Sequence, residues 1–143
     1  MHSRWICSGA FVAGVLLWSI GVTLVAQAPK TTKDGIYIAE QSTRGEVIYK
    51  GKCSSCHGDD LTGGGFAPAL VGDAFFEQWS GKKLSDLAGE IKDTMPADKP
   101  GSLIPDNTTD VLAYVLQSNS FPPGAAPLSN DVAVLAQISI AKP

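Results

Sequence analysis

The stretch Cys53-Ser54-Ser55-Cys56-His57 constrains this chain more than any other feature, because it sets two thiols one helical turn apart and an imidazole directly after them. A zinc site needs four ligands. Downstream of Cys56 the chain has no further Cys and no His other than His57, so zinc runs short of ligands. A thioredoxin-like redox pair needs a βαβ setting, whereas a short helical pattern precedes this motif and a glycine-rich loop follows it. Covalent haem attachment accounts for all three residues. Two thiols at this spacing reach the two vinyl groups on one edge of a porphyrin, and the adjacent imidazole ligates the iron. Neither Cys is then free for a disulfide.

Haem of this kind is attached outside the cytoplasm, and the first residues agree. A basic start containing Arg4, an apolar run from Ala10 to Ala26 and the small-x-small sequence Ala26-Gln27-Ala28 before Pro29 read as a secretory signal over 1–28, cleaved after Ala28. The competing reading is an uncleaved anchor, since the run of about 17 residues is at the lower limit for spanning a bilayer. Cys7 lies before the apolar run and not just after it, which sets aside a lipoprotein reading. The expected location is periplasmic, with membrane contact only if the N-terminal segment is retained.

Removing the signal leaves about 115 residues, one small domain whose core the haem must largely supply. It carries ten basic residues against 14 acidic ones. That balance argues against nucleic acid as a partner, while charge steering of a redox partner stays open beside the plainer reading of a solvated surface.

Residues 29–41 lack helical or alternating periodicity and read as a linker or extended arm. A first helix follows, with Ser42 or Thr43 as N-cap and Glu46 three residues beyond Thr43 as in a capping box. It runs into Cys53. From Gly58 to Pro68 turn formers dominate, including Gly63-Gly64-Gly65. No Gly-Lys-Ser/Thr follows and no strand precedes, so a phosphate cradle is excluded; glycine there lets backbone pass close to the porphyrin face. Further helices are expected over 73–79, 85–93 and from Asp106 or Asn107 to Ser118. In the third, Leu84, Leu87, Ala88 and Ile91 share one face, and Pro96 stops it. The tail after Phe121 carries Val132, Leu135 and Ile138 at three-residue spacing, suggesting a short packed helix.

What fills the other side of the iron decides between electron carriage and small-molecule chemistry. Met95 is the one methionine beyond the signal, in the loop Thr94-Met95-Pro96 at a helix end. A lone methionine is often a core filler, but helix packing gives this one no evident task, so it reads as the sixth ligand. A thioether favours ferrous iron and raises the potential. The rival reading is an enzyme or sensor with an open iron site.

From about Thr43 to Phe121 the chain resembles the class I c-type cytochromes. Gly45 and Tyr49 match the glycine and aromatic of that family's N-terminal helix, and Tyr114 matches the aromatic of the C-terminal helix it crosses. The resemblance implies an all-α fold, about four short helices wrapped around one covalently attached haem c. It also implies that the Pro68 carbonyl accepts the Nδ1 proton of His57, that Leu70 packs beside the haem and that Trp79 lies near its propionates, plain core packing being the other reading of Trp79. The segments Cys56 to Leu70 and Met95 to Leu103 are similar to cytochrome domains and subunits that serve quinoprotein alcohol dehydrogenases. The resemblance thus implies a respiratory one-electron carrier, with no chemistry of its own, between a dehydrogenase and an oxidase or another cytochrome; a tightly bound subunit of a dehydrogenase complex is the variant reading. The domain is expected over 42–121, with 122–143 as an extension.

Overall fold

The structure is a computed structural model that describes residues 30–65 and 67–142. The expected signal, 1–28, lies outside the described residues. Two long helices form the frame. α1 (Ala39–Lys52) starts after Ile38, which is extended at φ −99°, ψ 152° and whose N–H donates to the Gln41 side-chain oxygen at 3.4 Å. Ser42 and Thr43 therefore lie inside the helix and not at its cap, and both hydroxyls donate to the Ala39 carbonyl, at 2.8 and 3.1 Å. Glu46 pairs with Lys50 at 2.6 Å instead of closing a box with Thr43.

One short turn, α2 (Ser54–His57), follows directly. α3 (Gly72–Trp79) buries Phe75, Phe76 and Trp79, and α4 (Leu84–Thr94) buries Leu84, Leu87 and Ala88. The α4 helix ends at Met95, which is extended at φ −115°, ψ 153°, as the following proline demands. α5 (Pro105–Ser118) opens with a proline, whose fixed φ and missing N–H suit a first helical position.

α1 and α5 cross in close contact. A Cβ at Gly45 would fall 1.8 Å from the Asp110 carbonyl oxygen, so only glycine permits the approach. One turn further along, the Tyr49 and Tyr114 rings pack with centroids 5.3 Å apart and tilted by 50°. Beside the crossing, Arg44 donates two 2.7 Å hydrogen bonds to the buried Asp110 carboxylate. This paired geometry satisfies both oxygens of a group that would be costly to bury alone, and it raises the Arg44 pKa.

The termini depart most from expectation. Residues 30–41 are packed, not a free linker, and the expected boundary at 41/42 falls inside α1. Thr32 and Tyr37 are fully enclosed. The Tyr37 hydroxyl donates to the Phe121 carbonyl at 2.6 Å, burial pushes its pKa up, and the Tyr37 carbonyl accepts the Gly124 N–H at 2.6 Å. Gln41 locks Leu128 from both sides, accepting its N–H at 2.6 Å and donating to its carbonyl at 3.1 Å. The tail forms one helical turn, α6 (Val132–Leu135), capped by Asp131, whose carboxylate accepts the Ala133 N–H at 2.8 Å. Leu135 is buried, Val132 is exposed, and Ile138 belongs to a strand instead of a helix. That strand, β2 (Ile138–Ser139), pairs in parallel with β1 (Lys30–Thr31), Lys30 opposite Ile138. Among the described residues no helix is long and apolar enough to cross a membrane.

Candidate haem-binding site

The last turn of α1 delivers the cysteine pair. The Cys53 N–H donates to the Tyr49 carbonyl at 2.8 Å, and the Cys53 carbonyl accepts the N–H groups of Cys56 at 3.1 Å and His57 at 3.0 Å. These bonds turn the chain at Cys53, between α1 and α2, and set the two cysteines one turn apart. Neither sulfur is engaged in a disulfide, and burial pushes the Cys53 thiol pKa up.

The loop after His57 folds back on itself. Gly63, at φ 84°, donates its N–H to the His57 carbonyl at 2.9 Å, and a Cβ there would lie 2.8 Å from both the Ala67 carbonyl oxygen and the Ala69 nitrogen. At Gly63 the constraint is therefore the loop's own backbone; Gly64 and Gly65 do line the cleft. This closure carries the Pro68 carbonyl to 2.9 Å from His57 Nδ1. A carbonyl only accepts, so Nδ1 holds the proton and the Nε2 lone pair is free for a metal.

Leu70 follows, its N–H donating to the Leu61 carbonyl at 2.8 Å. Its own carbonyl is held by a residue that the sequence pattern did not single out. Asn119, buried just beyond α5, donates to the carbonyls of Leu70 at 2.8 Å and Val115 at 2.9 Å and accepts the Gly72 N–H at 3.1 Å. Trp79 is buried, with the Lys82 ammonium 4.8 Å from its ring centre. Met95 is half-buried at the end of α4.

All seven of these residues, Cys53, Cys56, His57, Pro68, Leu70, Trp79 and Met95, line a single cleft of about 1040 Å³. Tyr49 joins them: its hydroxyl donates to the Gly58 carbonyl at 2.7 Å, and burial pushes its pKa up. Leu87, Ile91, Val111 and Val115 make the wall largely apolar. The volume sits at the upper end of the roughly 300–1,000 Å³ typical of cofactor and ligand sites. Among the described residues no cluster of three or more His, Cys, Asp or Glu could hold a bare metal ion. Two cysteines outside any disulfide, one oriented imidazole, one thioether and a large apolar space fit a haem.

Residues 40–115 match the family described as cytochrome c oxidase, cbb3-type, subunit III. The chain belongs to that family. It is a c-type cytochrome of the all-α class I fold, with covalently bound haem c and a role in electron transfer. This cytochrome is also similar to the thiosulfate dehydrogenase of Stutzerimonas stutzeri (strain A1501), at 37% identity over 78 residues, which is 50% of the chain and 25% of that protein. The chain thus spans about a quarter of that relative's length. Among solved structures, the sulfane dehydrogenase SoxCD from Paracoccus pantotrophus matches with a TM-score of 0.48 and 18% identity, covering 76% of this cytochrome and 62% of the matched chain.

Proposed function

We propose that this cytochrome is a periplasmic one-electron carrier in which Cys53 and Cys56 hold one haem c and His57 and Met95 ligate its iron. The supporting observation is the convergence of those four side chains on one cleft, with the Pro68 carbonyl engaging His57 Nδ1. Haem c bound there supplies reversible one-electron iron chemistry, at a potential that a thioether ligand raises. The chain's own part is positional. Pro68 fixes the ring plane of His57 and strengthens it as a donor. Leu70, Trp79, Leu87, Ile91, Val111 and Val115 present an apolar wall that keeps water away and lowers the local dielectric. Both oxidation states can then share one geometry.

The partners we propose are a dehydrogenase as electron donor and an oxidase or another cytochrome as acceptor. The relative named for a dehydrogenase supports the first, and the family named for an oxidase supports the second. Retention as a tightly held subunit of a dehydrogenase complex is a second reading, favoured by the match to one quarter of a longer dehydrogenase; co-purification from a periplasmic extract separates the two.

Met95→Ala tests the ligand assignment, since the segment after the expected cleavage site holds no other methionine. The expected result is loss of the sulfur-to-iron charge-transfer band, a lower potential and new binding of carbon monoxide to the ferrous form. An unchanged spectrum and potential would hand the site to the open-iron enzyme or sensor.

A further inference from the structure

We propose that the paired termini form a clasp that holds α4 in place and thereby keeps Met95 on the iron, with Ile140 and Thr32 as positioning residues for that ligand. The proposal rests on the ligation by Met95 advanced above.

Beyond β2 the chain lies against the loop that starts α4. Ile140 donates its N–H to the Lys82 carbonyl at 2.9 Å and accepts the Gly81 N–H at 2.8 Å, while the Lys83 ammonium donates to the Ser139 hydroxyl at 3.1 Å. Residues 81–83 are the link between Trp79 and the first turn of α4. The tail is held from behind by the N-terminal arm. Thr32 donates its N–H to the Ser139 carbonyl at 3.1 Å, and its hydroxyl oxygen accepts the Ala141 N–H at 3.0 Å. Thr32 and Ile140 are sealed from solvent, at 0% and 1% exposure. α6 packs on α4 as well, burying Leu135.

α4 touches both the clasp and the cleft. Leu87, Glu90 and Ile91 line the cleft, and the helix hands over directly to Met95, whose N–H donates to the Ile91 carbonyl at 3.2 Å. At 11 residues it is about 16 Å long and moves as a rod, so a tilt at its start displaces its end. A ligand leaves its metal when the segment carrying it opens locally, and that opening is set by the buried contacts and backbone hydrogen bonds the segment must break. For α4, a share of those belongs to residues 135–141.

Imidazole titration of the full-length ferric holoprotein, paired with amide exchange over residues 84–95, tests this. Ile140→Ala is expected to raise imidazole affinity about tenfold and to speed exchange in α4, with a smaller rise for Thr32→Val, because the open fraction grows while the closed site is untouched. Thr32→Val carries the test if Ile140→Ala does not accumulate. The control is Gln41→Ala, which unlocks Leu128 from α1 and makes no bond to α4; at a comparable loss of thermal stability it should leave imidazole affinity within about twofold. Equal rises for the clasp variant and the control at matched stability would overturn the clasp. No rise in Met95→Ala would overturn the ligation itself, and the clasp with it.

Discussion

The cleft and the terminal clasp are held together by opposite means. Around the cleft, α1, α3, α4 and α5 turn side chains toward a space of about 1040 Å³ whose apolar lining is fully shielded only with a large group inside. At the clasp, residues far apart in sequence meet directly, through backbone hydrogen bonds such as Thr32 to Ser139 and Ile140 to Lys82 and through fully enclosed side chains. Burial at the cleft is conditional on the cofactor; burial at the clasp is not. One small domain thus divides its core between a part that the haem completes and a part that the chain completes alone.

The largest effect should come from emptying the conditional half. Cys53→Ala combined with Cys56→Ala removes covalent attachment, and the expected loss, on the order of 5 kcal/mol or more, is comparable to the whole stability of a small domain. Denaturant titration and haem staining on a denaturing gel measure it. Amide protection surviving at the clasp but not in α3 and α4 would sharpen the contrast; uniform loss would break it. Gly45→Ala strikes the helix crossing shared by both halves, because its Cβ would meet the Asp110 carbonyl. The expected cost is about 3 kcal/mol, read as a lower midpoint with covalent haem retained.

Two single hydrogen-bonding changes then separate the regions. Asn119→Ala strands the Leu70 carbonyl and the Gly72 N–H beside the cleft, for about 2 kcal/mol and a perturbed haem spectrum. Tyr37→Phe deletes the bond to Phe121 on the clasp side, for about 1 kcal/mol with the spectrum unchanged. A spectral change in Tyr37→Phe, or none in Asn119→Ala, would argue that the division is not real. Pro68→Ala should be the mildest: its carbonyl still accepts from His57, and the backbone it frees costs below about 1 kcal/mol, with a small shift in potential as the observable.

The residues of the proposed site stood out in the sequence because each announces itself by spacing or by scarcity: two cysteines and a histidine in five positions, one methionine past the N-terminal segment, helix faces repeating every three or four residues. The clasp was not legible for a physical reason. Two-residue strands are too short to show alternation, and Tyr37, Thr32 and Ile140 are buried by partners from about 60 to more than 100 positions away. Ser42 and Thr43 misled because a hydroxyl that caps one helix can equally donate within another. Asn119 gave no signal at all, since an amide among serines becomes structural only when the fold brings Leu70 and Gly72 to it.

The parallel pairing of Lys30 with Ile138 brings the two ends of the folded segment side by side, and no residue of either strand borders the cleft. The two ends of the described segment thus meet at a seam whose paired strands are not part of the cleft lining. A protein engineer could join residue 142 to residue 30 through a short linker and reopen the ring at an exposed turn such as Pro100-Gly101, leaving every hydrogen bond described for the clasp intact.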